Sequence, residues 1–309
     1  MIIIQKKEER WKLKNNRNNS WRTVLIEEPF EASLRDNQMV LQNKEKTVSI
    51  PIYQIREILC EAAYGSLSLP LIQCLLEKHV SMCICDHKKI PIGKICGISE
   101  NYESAGRIMD QAAWANRKKA SIWKQIVQLK ITTEIELLKK TDSVIPIALY
   151  DCKDNILAND KSNREAVAAK LYFNALFGPE FVRFSDDNVN GALNYGYTIL
   201  CNSFCRIITV HGYCTELGIH HCSRQNKYNL ACDFMEPFRA FVDEIVVNNR
   251  TRHLDIELKK QLLEVLHTQC IYDNKIMKLY DAMEEFVIDI ISAMNSPRSK
   301  IKRVGMINA

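Results

Sequence analysis

The sequence predicts an α+β protein, with a β-sandwich-like N-terminal domain followed by an all-helical C-terminal domain. Short runs of β-branched and apolar residues fill the first hundred positions, and polar pairs typical of turns separate them. From about Asn101 onward, apolar residues recur at helical spacing instead. With 309 residues, of which 47% are apolar, the chain is long enough for both domains and a large buried core.

Four runs in the first domain have the composition of strands: Trp21–Ile26, Gln38–Gln42, Thr47–Ile52 and Val80–Asp86. Turn-forming pairs punctuate them: Asp36-Asn37, Asn43-Lys44 and Asp86-His87. One helix is predicted in this domain, over Leu69–His79.

The second domain begins with a helical pattern over residues 101–140, which predicts two helices or one bent helix. The pattern weakens over Val144–Asp160, where we expect a loop. A helix is predicted from Ser162 to Gly178, because a capping residue opens it and a glycine ends it. Four more helical segments follow: Asn190–Tyr213, Asn229–Asn249, His253–Cys270 and Ile276–Asn295.

The formal net charge of +5 is concentrated at the two ends of the chain. Residues 1–20 hold six basic and two acidic residues, and residues 297–309 hold four basic residues and no acidic one. The chain between them is therefore slightly acidic. We interpret the ends as a basic N-terminal extension and a basic C-terminal tail, which flank a β-rich domain over 21–98 and a helical domain over 99–296. Such ends are usually solvated.

The twelve cysteines are scattered, without the spacing of a small disulfide framework. No signal peptide is predicted, because the apolar start MIII is short and a charged stretch follows it. No apolar run is long enough to span a membrane. We therefore expect a cytoplasmic protein with reduced cysteines.

Carboxylates and histidines gather in the stretch GIHHCSRQNKYNLACDFMEPFRAF. Asp233 and Glu236 are three residues apart and share one face of a helix. Pro237 directly after them predicts a kink that could project Glu236 into a cleft. Adjacent residues cannot both face one point, so at most one of His220 and His221 would be a ligand. Histidine with carboxylates suits a divalent ion such as Mn²⁺ or Mg²⁺.

A simpler interpretation of the same stretch needs no metal. The two carboxylates would pair on a wet surface with basic neighbours, namely Arg224, Lys227 or Arg239. The histidine would then be a hydrogen-bonded core residue. Spacing by itself does not separate these alternatives.

Glu165 is a third acidic candidate. Ser162 and Glu165 form the S-x-x-E pattern of a capping box, in which the glutamate would reach back to the Ser162 amide. The alanines that follow are small and leave room around the carboxylate, and Arg164 and Lys170 would suit an anionic ligand. Capping and ligand binding are both open.

One helical region is basic and carries Trp114 and Trp123 among its cations: Arg117, Lys118, Lys119, Lys124 and Lys130. Such a face would neutralise nucleic-acid phosphates without reading sequence. An ordinary solvated helix face with its tryptophans in the core explains the pattern equally well. The sequence contains no phosphate-binding P-loop, no G-x-S-x-G nucleophile motif and no pair of C-x-x-C zinc motifs.

Taken in order, four blocks resemble the signature of the CRISPR-associated integrases (CRISPR-associated protein one): NREAVAAKLYFNALFG, NVNGALNYGYTILCNSFCRIITVHG, ELGIHH and NLACDFMEPFRAFVD. The residues in these blocks are similar to those of the type II branch, and the resemblance covers roughly residues 21–290. Residues 1–20 do not fit the family pattern and are read as an upstream extension or an optional basic arm.

The resemblance implies a metal site in the helical domain, with Mg²⁺ or Mn²⁺ held by Glu165, His221 and Glu236. His221 is preferred because the type II pattern places the ligand second in the pair, and His220 and Asp233 are secondary candidates. The implied reaction is phosphodiester transesterification, in which the 3′-hydroxyl of incoming DNA attacks at a repeat boundary. With water as the attacker, the same site is a nuclease.

The resemblance also implies partners. The β domain would pair two copies into a homodimer, and the dimers would bridge on CRISPR-associated protein two and bind double-stranded protospacer and repeat DNA. In the type II branch, the effector nuclease and a ring-forming DNA-end protein take part. Cations near the site would offset charge or hold DNA, among them Arg164, Arg224, Lys227 and Arg239. The alternative function is a non-catalytic DNA-binding scaffold of the same fold.

Overall fold

The computed structural model of the chain describes residues 2–4, 22–85, 91–95, 97, 103–297 and 300–307. The chain separates into two compact units, Met1–Glu100 and Asn101–Ala309. The predicted basic extension, apart from residues 2–4, and the predicted turn at Asp86-His87 lie outside the described residues.

The first unit contains two β-sheets. Its strands, in chain order, are β1 (Ile2–Ile4), β2 (Arg22–Ile26), β3 (Phe30–Arg35), β4 (Gln38–Gln42), β5 (Thr47–Pro51), β6 (Ile55–Cys60), β7 (Gly65–Leu67), β8 (Ser81–Cys85) and β9 (Pro91–Ile95). One sheet has the order β1-β2-β6-β8-β9 and the other β5-β4-β3-β7. The four predicted strands are present as β2, β4, β5 and β8.

Both sheets contribute side chains to one hydrophobic core. Val24 and Ile26 of β2 are fully buried in this core, as are Met39 and Leu41 of β4. Helix α1 (Leu69–Glu77) adds apolar side chains to the core and begins at a Ser68 cap that accepts from the Leu71 amide. The predicted β-sandwich-like domain is confirmed.

The second unit is mainly helical. Its helices are α2 (Ser104–Ala112), α3 (Asn116–Lys140), α4 (Ile147–Asp154), α5 (Arg164–Phe177), α6 (Asn188–Val210), α7 (Asn229–Met235), α8 (Arg239–Asn248), α9 (Ile256–Glu264) and α10 (Leu279–Asn295). The long helices α3 and α6 are buried along much of their length. Among the described helices, none is long and apolar enough to cross a membrane. The prediction of a loop over Val144–Asp160 was wrong in part, because the short helix α4 lies within this range.

The second unit is not entirely helical, which corrects the sequence prediction. Strands β10 (Gln269–Tyr272), β11 (Lys275–Lys278) and β12 (Val304–Met306) form an antiparallel sheet with the order β11-β10-β12. Asp273 and Asn274 both have positive φ and make the tight turn between β10 and β11. The sequence prediction placed residues 269–270 and 276–278 in helices and residues 304–306 in the C-terminal tail, because short apolar runs fit either period.

The C-terminal residues are part of the fold. The expectation of a solvated tail was wrong for Ile301 and Val304–Met306, while Lys300 and Arg303 are exposed. Ile301, Val304 and Met306 are buried. The carboxylate of Glu136 on α3 accepts from the Met306 amide at 2.8 Å and pairs with Arg303. Strand β12 therefore packs on helix α3.

Candidate metal and nucleic-acid site

Two of the predicted acidic residues converge on one buried lysine. The Nζ atom of Lys130, on α3, lies 2.7 Å from Oε1 of Glu165 and 2.7 Å from Oε2 of Glu236. Because both oxygens contact the same Nζ atom, the distance between them is at most the sum of these two distances. The sequence prediction placed Lys130 on a basic helix face that either contacts nucleic-acid phosphates or is solvated. Both alternatives put the residue at the surface, but it is only 8% exposed.

Pro237 creates the break that presents Glu236. Helix α7 ends at Met235, residues Glu236–Phe238 form a 3₁₀ turn, and α8 begins at Arg239. The predicted kink is confirmed. The Thr133 hydroxyl donates to the Pro237 carbonyl at 3.0 Å and so ties this turn to α3.

Glu165 reaches the same point from the first turn of α5. The capping box, one of the two alternatives open for Glu165, is absent, because the helix begins at Arg164 and its N-cap residue Asn163 makes no side-chain cap bond. Instead, the Asp160 carboxylate accepts from the backbone amides of Arg164 at 2.8 Å and Glu165 at 2.9 Å. Asp160 thus takes over the capping role, and the Glu165 side chain is directed to Lys130.

Asp233 anchors the histidine pair. Its fully buried carboxylate accepts from the backbone amides of Ile219, His220 and His221 at 2.6, 3.1 and 3.0 Å. It also lies 2.7 Å from Nδ1 of the His221 ring. Gly218 permits this fold-back, because a Cβ atom there would lie 2.2 Å from the His221 carbonyl oxygen. Both oxygens of Asp233 are therefore engaged in orienting the loop.

The two histidines differ in their surroundings. His220 stacks on Trp123 with ring centroids 4.3 Å apart and planes inclined by 1°, and its Nδ1 lies 3.1 Å from Asn159 Oδ1. The hydrogen bond with Asp233 raises the pKa of His221, and the nearby charge of Glu236 raises it further. His221 is thus electrostatically linked to Glu236, while the His220 ring is held by an aromatic stack.

Comparison with known proteins decides the family. The family model described as "CRISPR associated protein Cas1" matches residues 24–279. This chain belongs to the Cas1 family. It is 28% identical over 287 residues to "CRISPR-associated endonuclease Cas1" of Neisseria meningitidis serogroup C (strain 8013), which covers 91% of this chain and 94% of that protein.

Solved structures agree on the fold. The chain is similar to a chain of "Casposase bound to integration product", with a TM-score of 0.76, 17% identity, and coverage of 90% of this chain and 92% of that one. A chain of the "Cas6-RT-Cas1--Cas2 complex" gives a TM-score of 0.72 and 18% identity, with 94% of this chain and 36% of that one covered. The strand-rich first part and helical second part are thus those of the Cas1 fold.

Two cations hold the Glu236 carboxylate of this Cas1-family chain in its ionised form. Arg239 Nη2 lies 2.7 Å from Glu236 Oε1, opposite Lys130. Burial raises the pKa of Glu236, but Arg239 and Lys130 outweigh burial and bring the pKa well below its usual range. For Lys130 the two effects have the opposite signs. Burial lowers its pKa, but the carboxylates of Glu236 and Glu165 outweigh burial and raise the pKa above its usual value.

Glu134 lies one helical turn beyond Lys130 and is also buried. Burial raises its pKa to about 8. Its Oε2 atom has no hydrogen-bond partner among the described residues. No sequence signal distinguishes this residue, because one glutamate in a long amphipathic helix carries no pattern of its own.

A second polar layer supports Arg239, and sequence reasoning missed it. The buried Asp243 carboxylate accepts hydroxyl bonds from Tyr172 at 2.7 Å and Tyr197 at 2.5 Å. The Arg239 guanidinium lies over the Tyr197 ring, 4.6 Å from its centroid. The spacing of Asp243, four residues after Arg239 on α8, is the signal that could have found it, because residues i and i+4 lie on one face of a helix.

The predicted DNA-contacting cations fall into two groups. Some are held by the fold: Lys118 donates to the Ser296 carbonyl, Lys119 to the Gly218 carbonyl, Arg164 pairs with Asp151 and Arg239 pairs with Glu236. Others are exposed or half-buried at the surface: Arg117, Lys124, Arg224 and Lys227. Trp114 and Trp123 are buried, so the tryptophans belong to the core.

Proposed function

We propose that this chain is a metal-dependent DNA integrase and endonuclease that inserts new spacer DNA into a CRISPR array, the adaptation stage of antiviral defence. The observation that carries the proposal is the convergence of Glu165 and Glu236 on one cation position in a chain of the Cas1 family. The relatives named as endonucleases support the same chemistry.

Glu165, Glu236 and His221 would hold the ion. Among the described residues, no group of three or more histidine, cysteine, aspartate or glutamate side chains is arranged to hold a metal as it stands. The donor set nevertheless fits, since two carboxylates already share a cation, and an imidazole engaged through Nδ1 offers Nε2. Oxygen ligands with one nitrogen suit Mg²⁺ or Mn²⁺.

When bound, such an ion supplies Lewis-acid polarisation of a phosphodiester and orientation of the attacking oxygen. The residues of the chain prepare the site for it. Asp233 fixes the His221 ring, and Arg239 keeps Glu236 ionised and directs its carboxylate. Arg239 in turn is positioned by the Tyr197 ring and the Asp243 carboxylate behind it.

The proposed reaction is a transesterification. The 3′-hydroxyl oxygen of the incoming DNA forms a bond to phosphorus at the repeat boundary and loses its proton. The bond from that phosphorus to the repeat's own 3′-oxygen breaks, and the leaving oxygen takes up a proton. No protein nucleophile takes part. If water attacks instead, the same step is phosphodiester hydrolysis.

The proposal includes DNA and protein partners. The surface cations Arg117, Lys124, Arg224 and Lys227 would neutralise phosphates of double-stranded protospacer and repeat DNA. The N-terminal β unit would form a homodimer. The similarity to a chain of the "Cas6-RT-Cas1--Cas2 complex" supports Cas2 as a partner. The type II effector nuclease and a ring-forming DNA-end protein complete the proposed assembly.

A strand-transfer assay tests this function. Labelled protospacer DNA, repeat DNA, Cas2 and Mn²⁺ are mixed with the wild-type chain or with Glu165→Gln. We expect joined product from the wild type only, while both proteins retain DNA in low salt. Retention of DNA without metal-dependent joining or cleavage by the wild type would instead identify a DNA-binding scaffold.

A further inference from the structure

Side-chain cations already balance the charge of the candidate metal site. Lys130 contacts both Glu165 and Glu236 at 2.7 Å, and Arg239 contacts the other oxygen of Glu236. Two carboxylates therefore face two side-chain cations. A divalent ion added to this arrangement would leave an excess positive charge in a buried site, which is unfavourable unless an anion enters with it.

The fold holds Lys130 in this position. Its neighbours on α3, Ile126, Val127 and Ile131, are fully buried, so the helix cannot rotate without exposing core. The Thr133 hydroxyl donates both to the Lys130 carbonyl at 2.9 Å and to the Pro237 carbonyl at 3.0 Å. One side chain thus ties the backbone that carries the ammonium to the turn that carries Glu236.

We propose that Lys130 is a built-in counter-ion that makes metal binding dependent on DNA. In the metal-free protein, its ammonium holds Glu165 and Glu236 together. When DNA enters, the ammonium moves from the carboxylates to a DNA phosphate, and a divalent ion replaces it. The inference rests on the proposed metal-dependent function and adds the order in which the site is filled.

The consequence is reciprocal coupling. A phosphate that takes up the Lys130 ammonium frees both carboxylates, so DNA strengthens metal binding, and metal must strengthen DNA binding by the same factor. A purely structural ion pair predicts something different. It would affect the stability of the protein but leave no link between Lys130 and the effect of DNA on metal affinity.

The test is a titration of Mn²⁺ followed by electron paramagnetic resonance, which counts free ion directly. The proteins are the wild type, Lys130→Met and the matched control Lys139→Met, which changes an exposed lysine of the same helix. Each is titrated alone and with a duplex whose 3′ ends carry dideoxynucleotides, so that no transfer occurs. Lys130→Gln is a second variant, since it retains a hydrogen-bond donor and removes only the charge.

Without DNA, we expect Lys130→Met and Lys130→Gln to bind Mn²⁺ about tenfold more tightly than the wild type. We expect DNA to tighten Mn²⁺ binding to the wild type and to Lys139→Met by about tenfold, and to have a much smaller effect on both Lys130 variants. Thermal unfolding without metal should show the Lys130 variants to be less stable, and Mn²⁺ should restore them more than the wild type.

The outcomes separate the two proposals. If both Lys130 variants bind Mn²⁺ no more tightly than the wild type, or if DNA acts equally on all four proteins, the counter-ion role is wrong while the metal site stands. If neither the wild type nor the Lys130 variants bind Mn²⁺, the proposed metal site itself fails.

Discussion

Nδ1 of His221 lies 2.7 Å from Oδ1 of Asp233, and the same carboxylate accepts from three consecutive backbone amides. One buried side chain thus shapes the loop and fixes the ring at its end. This arrangement separates the two acids of the D-F-M-E segment by role. Asp233 orients the loop and the His221 ring, whereas Glu236 faces the cation position that Lys130 occupies.

Replacing Asp233 with asparagine should therefore weaken metal binding without removing a ligand. An asparagine can accept on one side only, so at least one backbone amide loses its partner, at a cost of about 1–3 kcal/mol in the free energy of unfolding. Loss of the ring's orientation should weaken Mn²⁺ binding by roughly 10–100-fold. Urea unfolding and Mn²⁺ titration measure the two effects. Asp110→Asn, at an exposed position of α2, serves as the control and should change neither.

Gly218 offers a backbone test of the same loop. An added Cβ would lie 2.2 Å from the His221 carbonyl oxygen and 2.8 Å from Asp233 Oδ2, so alanine forces the loop away from Asp233. We expect Gly218→Ala to lower the free energy of unfolding by about 1–3 kcal/mol. Gly191→Ala, in α6, meets nothing within 4 Å and should stabilise the chain by about 0.5–1 kcal/mol. Equal effects of the two substitutions would contradict the packing described around Gly218.

Glu134 should make stability depend on pH. Burial raises its pKa to about 8, against 4.5 for the ordinary group, so between these values the folded state keeps a proton that the unfolded state releases. Stability is then lost as pH rises through this window, by at most about 1.4 kcal/mol per pH unit. Glu134→Gln should remove this slope, so its stability advantage over the wild type grows from pH 5 to pH 8.

Chemical denaturation at several pH values measures this difference. The advantage should be nearly constant above about pH 9 and below about pH 3.5, where both states of the wild type hold the same number of protons at this site. An advantage that is independent of pH would mean that Glu134 is ionised in the folded protein at neutral pH.

The C-terminal strand depends on Glu136. This nearly buried carboxylate accepts from the Met306 amide and pairs with Arg303, so alanine leaves the amide without a partner. We expect Glu136→Ala to cost about 2 kcal/mol of unfolding free energy and to speed amide exchange in β12. Glu257→Ala, which removes a surface pair with Lys260, should change stability by no more than about 0.5 kcal/mol. Unchanged exchange in β12 would contradict the role of Glu136.

Much of the fold could be predicted from the sequence, because its signals are local. Short runs of β-branched and apolar residues mark β2, β4, β5 and β8, and Pro237 marks the break before α8. The sheet formed by β10, β11 and β12 could not be predicted in the same way. Its pairing joins Cys270 to Met306, and strands of three or four residues carry too little periodicity to exclude other assignments.

The same distinction between local signals and long-range contacts applies to the candidate site. Sequence by itself determined the order of the motifs and their resemblance to the family, and through that resemblance the choice of Glu165, His221 and Glu236 as candidates. Only the tertiary structure decided that Lys130 lies between two of them, that Asp233 orients the third, and that Asp160 rather than Ser162 caps α5. The reason is physical: periodicity records which face of an element is buried, but the partner of a buried charge is set by contacts between residues far apart in the chain, as between Lys130 and Glu236.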